Sequence, residues 1–302
     1  MVNMDGSDGD RLALAVLAQY RIATTEQVHL LTAPGVRIEQ TRRRLMKLRG
    51  EGLVDRITLA RAGRMRVWVW FATGYGARIA ATWPELRNLP TRRYAGDRTA
   101  VRLKTGHGLA VTEVGLAFVQ DARRRGEICR PLDWIPEVHH PLGSGEAVIP
   151  DALVYYRTRE AGGAMVRAFV EVDRATMGPE RLAAKVAAYA RLHRYVPVPG
   201  GRHRGYGTQL ATQQGPEAWR KRYPVFSRVL FVLDHVGPAG VEHRGRALRA
   251  TTQETVPDRF LRNVPVLSVP MADLLREGPS APVWRPAHDP DRKVSWLNPW
   301  KT

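Results

Sequence analysis

The stretch from Val148 to Tyr195 constrains the fold more than any other. It reads Val148-Ile149-Pro150-Asp151-Ala152-Leu153-Val154-Tyr155-Tyr156, then Phe169-Val170-Glu171-Val172-Asp173, then a helix from about Pro179 that carries Lys185 and Tyr189. Both short runs have the β-branched and aromatic character of strands, and Glu160-Ala161-Gly162-Gly163 between them suggests a hairpin. Side chains alternate along a strand, so Glu171 and Asp173 point to one face, and Asp151 at the start of the neighbouring strand can join them. Three carboxylates at one sheet edge repel one another unless a hard cation such as Mg²⁺ takes their oxygens. The expectation is therefore a metal site built from Asp151, Glu171 and Asp173. On the helix, Leu182, Val186, Tyr189 and His193 form one stripe, and Pro179 suits the first turn. Lys185 lies within or beside that stripe, where an unpaired ammonium is costly and a carboxylate cluster would supply its partner.

At 302 residues the chain is long enough for two domains, or one large one, each able to bury a core. Its formal net charge of +18 predicts a polyanionic partner. Nucleic acid suits this better than a membrane, because no apolar run is long enough to span a bilayer and no signal-peptide pattern opens the chain. The single cysteine, Cys129, excludes an internal disulfide framework and a cysteine-based zinc cage. Together these features predict a cytoplasmic protein.

After a polar, Gly- and Asp-rich start, Arg11–Tyr20 reads as an apolar helix. Thr24 with Gln27 is a capping-box pattern for a second helix through Leu31, ended by Pro34-Gly35. A third helix runs from Val36 to about Arg49. It places Ile38, Leu45 and Leu48 on one face and a cationic stripe of Arg37, Gln40, Arg44 and Lys47, with Arg43 beside it, on another. Leu53–Leu59 and Met65–Trp70 then read as two strands joined by a tip holding Arg61, Arg64 and Arg66. Three helices followed by a basic hairpin is the layout of a winged helix-turn-helix, whose third helix enters the major groove while the wing touches phosphate. Residues 10–83 are thus expected to be a DNA-binding domain, with Arg37, Gln40, Arg43, Arg44, Lys47, Arg61, Arg64 and Arg66 as its contacts.

Residues 84–104 read as a basic linker, and helix returns from Thr105 to Arg125. Glu113 on that helix reads as a solvated glutamate. Trp134–His140 is a candidate strand, and Phe226–Leu233 is a continuous apolar strand suited to a sheet buried on both faces. Val264–Val269 reads as a last strand, with Met271–Arg276 a short helix. Gly200–Gly207 and Trp219–Tyr223 mix glycine, arginine and aromatic residues in a way that suits either backbone contact with base stacking or a flexible insertion. The Pro- and Trp-rich tail, 279–302, carries no assignment.

Pro150-Asp151, Glu171-Val172-Asp173 and Lys185 resemble the PD-(D/E)XK nuclease core. One departure is that Asp173 stands where that family places its lysine, and Lys185 on the following helix is the candidate replacement. The helix, three strands, helix, strand order of residues 105–278 is similar to that core. The fold expected is α/β (α+β): a winged helix-turn-helix domain followed by a restriction-endonuclease-like αβββαβ domain. More narrowly, the N-terminal helical module, Gly106-His107-Gly108-Leu109, Pro150-Asp151, Glu171-Val172-Asp173-Arg174, Lys185 to Tyr189 and Trp219 to Val232 resemble the replication-relaxation family, over roughly residues 10 to 270. The resemblance implies a protein of mobile elements that nicks DNA in plasmid replication or transfer. Double-stranded DNA would be its partner, with single-stranded DNA at the nicking site. Asp151, Glu171 and Asp173 would hold Mg²⁺ or Mn²⁺, and Lys185 would position water or offset charge. Tyr189, one turn from Lys185, is an alternative covalent nucleophile, although tyrosine on an apolar stripe is more often core. The competing reading is a non-catalytic DNA-binding regulator on a degenerate nuclease fold.

Overall fold

The computed structural model describes residues 8–60, 66–86, 98–143, 145–159, 163–174, 178–197, 215–235, 237–254 and 257–300. The fold is α+β. In chain order the elements begin with α1 (Asp8–Tyr20), β1 (Ala23–Thr24), α2 (Thr25–Thr32), α3 (Ile38–Gly50), β2 (Val54–Ala60), β3 (Arg66–Ala72), α4 (Gly74–Ala81) and α5 (Arg98–Arg125). Next come β4 (Trp134–Pro136), β5 (His140–Gly143), β6 (Glu146–Val148), β7 (Ala152–Arg157), β8 (Met165–Asp173) and α6 (Pro179–Arg194). The last are β9 (Arg228–Leu233), α7 (Pro238–Glu254), α8 (Asp258–Asn263), β10 (Val266–Pro270), α9 (Met271–Glu277) and β11 (Arg285–Pro286). Hydrogen bonding orders the strands β1-β3-β2, β5-β6 and β11-β10-β9-β8-β7-β4. Among the described residues no helix is long and apolar enough to cross a membrane.

Two compact units divide the chain: Met1–Pro136 with Ala152–Val166 and Leu274–Pro279, and Glu137–Asp151 with Arg167–Asp273 and Ser280–Thr302. In the first, Thr24 caps α2 as its capping-box spacing requires: Gln27 N donates to Thr24 Oγ1 at 3.1 Å, and Thr24 N donates to Gln27 Oε1 at 3.0 Å. The apolar faces of α1, α2 and α3 meet β3 in a core of Leu14, Leu17, Val28, Leu45, Leu48 and Trp70. Each such leucine contributes about 1.5–3 kcal/mol when fully buried. β2 and β3 pair antiparallel from Val54 against Ala72 to Ala60 against Arg66. Gly76 lies in the first turn of α4 where a Cβ would collide with the Leu53 carbonyl oxygen, so no larger residue fits. α5 is tied to this unit by Thr112 Oγ1, which donates to Ile22 O at 2.7 Å, and by Arg123 Nη2, which donates to Leu31 O at 2.7 Å. It starts at Arg98, so 98–104 of the expected linker are helical. The 87–97 portion lies outside the described residues.

In the second unit, β8, β9 and β10 are mutually parallel, with Glu171 beside Phe231 and Asp173 beside Leu233. β9 is buried at every position after Arg228, as a strand covered on both faces should be. The strand expected over 134–140 is instead two. β4 stops at Pro136, Glu137 adopts a left-handed φ of 49° while its N–H donates to Asp151 O, and His140 opens β5, which pairs with β6. The tail is packed: β11 pairs antiparallel with β10, and Trp284 and Trp296 are fully buried.

Candidate functional site

Every β8 residue from Ala168 to Asp173 is buried, and this places the Glu171 carboxyl where burial opposes its charge. α6 supplies the compensation. Lys185 and Tyr189, four residues apart and so on one helical face, both reach Glu171. Lys185 Nζ donates to Glu171 Oε2, and the Tyr189 hydroxyl donates to Oε1 at 2.7 Å. Asp151 comes alongside because its Oδ2 accepts the Val172 backbone N–H at 2.7 Å, which fixes the carboxylate against β8 next to Glu171.

Desolvation pushes Glu171 up to about 7; Lys185 opposes the rise and the charge of Asp151 adds to it. Burial works to lower the Lys185 ammonium, but Glu171, Asp151 and Asp173 outweigh it and hold the group above its ordinary value. Tyr189 is fully buried and stacked on Phe169 with centroids 5.4 Å apart. Burial and the neighbouring Glu171 raise its phenol well above the usual range. The expected alternative of Tyr189 as nucleophile meets a hydroxyl that is sealed from solvent and already donating.

Asp173 has a different neighbour. Its Oδ2 accepts from Arg244 Nε of α7 at 2.9 Å, while Oδ1 is buried with no hydrogen-bond partner among the described residues. Lys185 still feels its charge. Thus Asp151, Glu171 and Lys185 are brought together, and Asp173 adjoins them, paired with an arginine that sequence reasoning did not find. Glu113, read from sequence as a solvated glutamate, is half-buried and accepts from Gln27 Nε2 at 2.6 Å. Among the described residues no group of three or more His, Cys, Asp or Glu side chains is arranged to surround a metal. Mg²⁺, however, commonly takes one or two carboxylates and completes its shell with water and substrate phosphate. Asp151 and Glu171 provide such a pair of hard oxygen donors, so the donor set fits Mg²⁺ or Mn²⁺.

On α3, Arg37, Gln40, Arg43 and Lys47 are exposed. Arg44 is half-buried. Its Nε donates to Asp10 of α1 at 2.9 Å, and Lys47 Nζ donates to the other Asp10 oxygen at 2.7 Å. Burial would raise the Asp10 carboxyl, but the bonds and charges of Lys47 and Arg44 hold it below its ordinary value. Arg66 is exposed at the start of β3, and Arg61 and Arg64 lie outside the described residues. Sequence reasoning missed Arg56 and Trp68. The Arg56 guanidinium lies 3.6 Å from the centroid of the partly exposed Trp68 ring, on the strand-pair face that also carries Arg66.

No curated protein and no solved structure matches the chain. The family profile described as replication-relaxation matches residues 14–210, well over half of the sequence, and spans Asp151, Glu171, Asp173 and Lys185. By that match the chain belongs to the replication-relaxation family, which points to a role in the replication or transfer of a plasmid or mobile element.

Proposed function

We propose that this protein binds DNA through a winged-helix-like N-terminal module and nicks it at a nuclease-like centre formed by Asp151, Glu171 and Lys185. The observation that carries this reading is the contact of Lys185 Nζ with Glu171 beside Asp151. Hydrolysis of a phosphodiester needs both charges in one place, and here an ammonium and two carboxylates stand together.

Asp151 and Glu171 would hold Mg²⁺ or Mn²⁺, which when bound supplies charge neutralisation at the phosphate and an acidified water. The chain's own residues do the rest. Lys185 opposes the rise that burial imposes on Glu171 and presents an ammonium toward developing negative charge. Tyr189 orients Glu171 by donating to Oε1. The Val172 N–H fixes the Asp151 carboxylate. On α3 and β3, the exposed Arg37, Gln40, Arg43, Lys47 and Arg66 suit groove and phosphate contact.

The test is nicking of a supercoiled plasmid carrying DNA of the protein's own element, with Mg²⁺ or Mn²⁺. Open circles that depend on the metal and vanish in Asp151→Ala and Lys185→Ala are expected. Binding without cutting, unchanged by either substitution, would instead support a non-catalytic DNA-binding regulator.

A further inference from the structure

Beyond the acidic centre, the second unit holds a cleft of about 610 Å³ walled by His193, Trp219, Phe226 and Phe260, with Arg194 and Arg259 at its mouth. Its base is aromatic: the half-buried His193 lies parallel to Trp219 with centroids 5.9 Å apart, over the buried Trp219, Phe226 and Phe260, and Phe226 meets Trp219 edge-on at 5.3 Å. The half-buried His193 and the 69 % exposed Val225 leave the cleft open at its lip. Its charge is positive. Arg194, Arg220 and Arg259 stand against one carboxylate, Glu217, giving three minus one, or +2 with histidine neutral. Arg220 satisfies Glu217 while its guanidinium lies 4.6 Å from the Trp219 centroid. Among the described residues Arg194 and Arg259 have no ion-pair or hydrogen-bond partner.

We propose that this cleft binds an unpaired nucleobase of single-stranded DNA, with the arginines at its mouth taking the flanking phosphates. A ring-walled cavity of this size beside uncommitted guanidinium groups matches a ligand that is flat and aromatic at one end and anionic at the other. Bases inside a duplex have both faces covered, so only an unpaired one can enter. The position suits a nicking site. Lys185 and His193 share α6 eight residues apart, about 12 Å along the axis, which is the length of about three or four stacked nucleotides. The two places also share one aromatic cluster, since Phe169 stacks on Tyr189 and meets Phe226 edge-on at 5.6 Å. The proposal rests on the DNA-nicking reading only for its role, and its test is independent of cutting.

The experiment compares the full-length wild type with the exposed double variant Arg194→Ala/Arg259→Ala, which leaves the aromatic walls in place. Binding of a fluorescent 12-nucleotide oligo-dT and of a matched duplex is measured, with photocross-linking of a 5-iodouracil oligonucleotide. The expected result is a loss of about tenfold in single-strand affinity, with duplex affinity within about twofold of wild type, and a cross-link mapped to His193 or to the peptide Trp219–Phe226. Equal single-strand affinity in the two proteins, an equal fall for both DNAs, or a cross-link elsewhere would overturn the proposal. Thymidine monophosphate competing as well as the oligonucleotide would also overturn it, in favour of a free-nucleotide site. If the wild type shows the expected binding and cross-link yet never nicks, the nicking reading falls and the cleft stands.

Discussion

Glu171 is a carboxyl group whose burial and whose partners pull in opposite directions, and burial wins in the absence of metal. Its folded-state value of about 7 lies above its ordinary 4.5, so the folded chain holds the proton more tightly than the unfolded chain. In chelator, stability should therefore fall as pH rises from about 4.5 to about 7. His140 acts in the opposite sense. Burial first, then the charge of Arg222, depresses it to about 4, so its contribution is present above pH 6.5 and is lost as pH falls toward 4. Comparing wild type with Glu171→Gln by urea unfolding cancels the histidine. The variant should lack a fall of about 1–3 kcal/mol across the window, and added Mg²⁺ should shrink that fall in wild type by favouring the carboxylate. Identical pH profiles would contradict the assignment. Tyr189→Phe removes a charged-acceptor hydrogen bond and should cost about 1.5–3 kcal/mol by the same measurement. At this scale the sequence was informative about Lys185, because an ammonium on an apolar helical stripe demands a partner. It was silent about Arg244, which meets Asp173 across 71 residues with no local pattern to announce it.

At the scale of elements, α2, α3, β8, β9 and α6 were legible because each has a strong period, a cap or an uninterrupted apolar run. α7 was not. Its stretch Pro238–Glu254 mixes arginine, glycine and threonine with few apolar residues, and it is held as a helix by packing on α6. The break between β4 and β5 was hidden because its left-handed residue is Glu137, a type rarely found there. The cationic residues of α3 follow from the spacing of the sequence, but the tether of Arg44 and Lys47 to Asp10 joins helices more than thirty residues apart and leaves no trace in either. That tether makes a prediction for the element. Asp10→Ala should destabilise the chain by about 1–2 kcal/mol in thermal unfolding, because Arg44 is left half-buried without its acceptor. Duplex affinity at low salt should hold or rise, because two cations are released. A fall in affinity with stability unchanged would mean that Asp10 presents those cations to DNA and does not restrain them.

For the whole molecule, a net charge of +18 predicts duplex binding with a steep salt dependence. If Arg43 and Lys47 each meet a phosphate, the variant Arg43→Ala/Lys47→Ala should lower the slope of log affinity against log salt by about 2. An unchanged slope would move the duplex contact to another face. Charge alone brings the chain to DNA; cutting depends on the small group around β8. The most direct test is the single-turnover nicking rate of supercoiled plasmid with Mg²⁺ for wild type and Glu171→Gln, with duplex affinity measured on the same samples. The glutamine variant should bind DNA as wild type does and nick at least about a hundredfold more slowly. Equal nicking rates in the two proteins would contradict the dependence of cutting on Glu171.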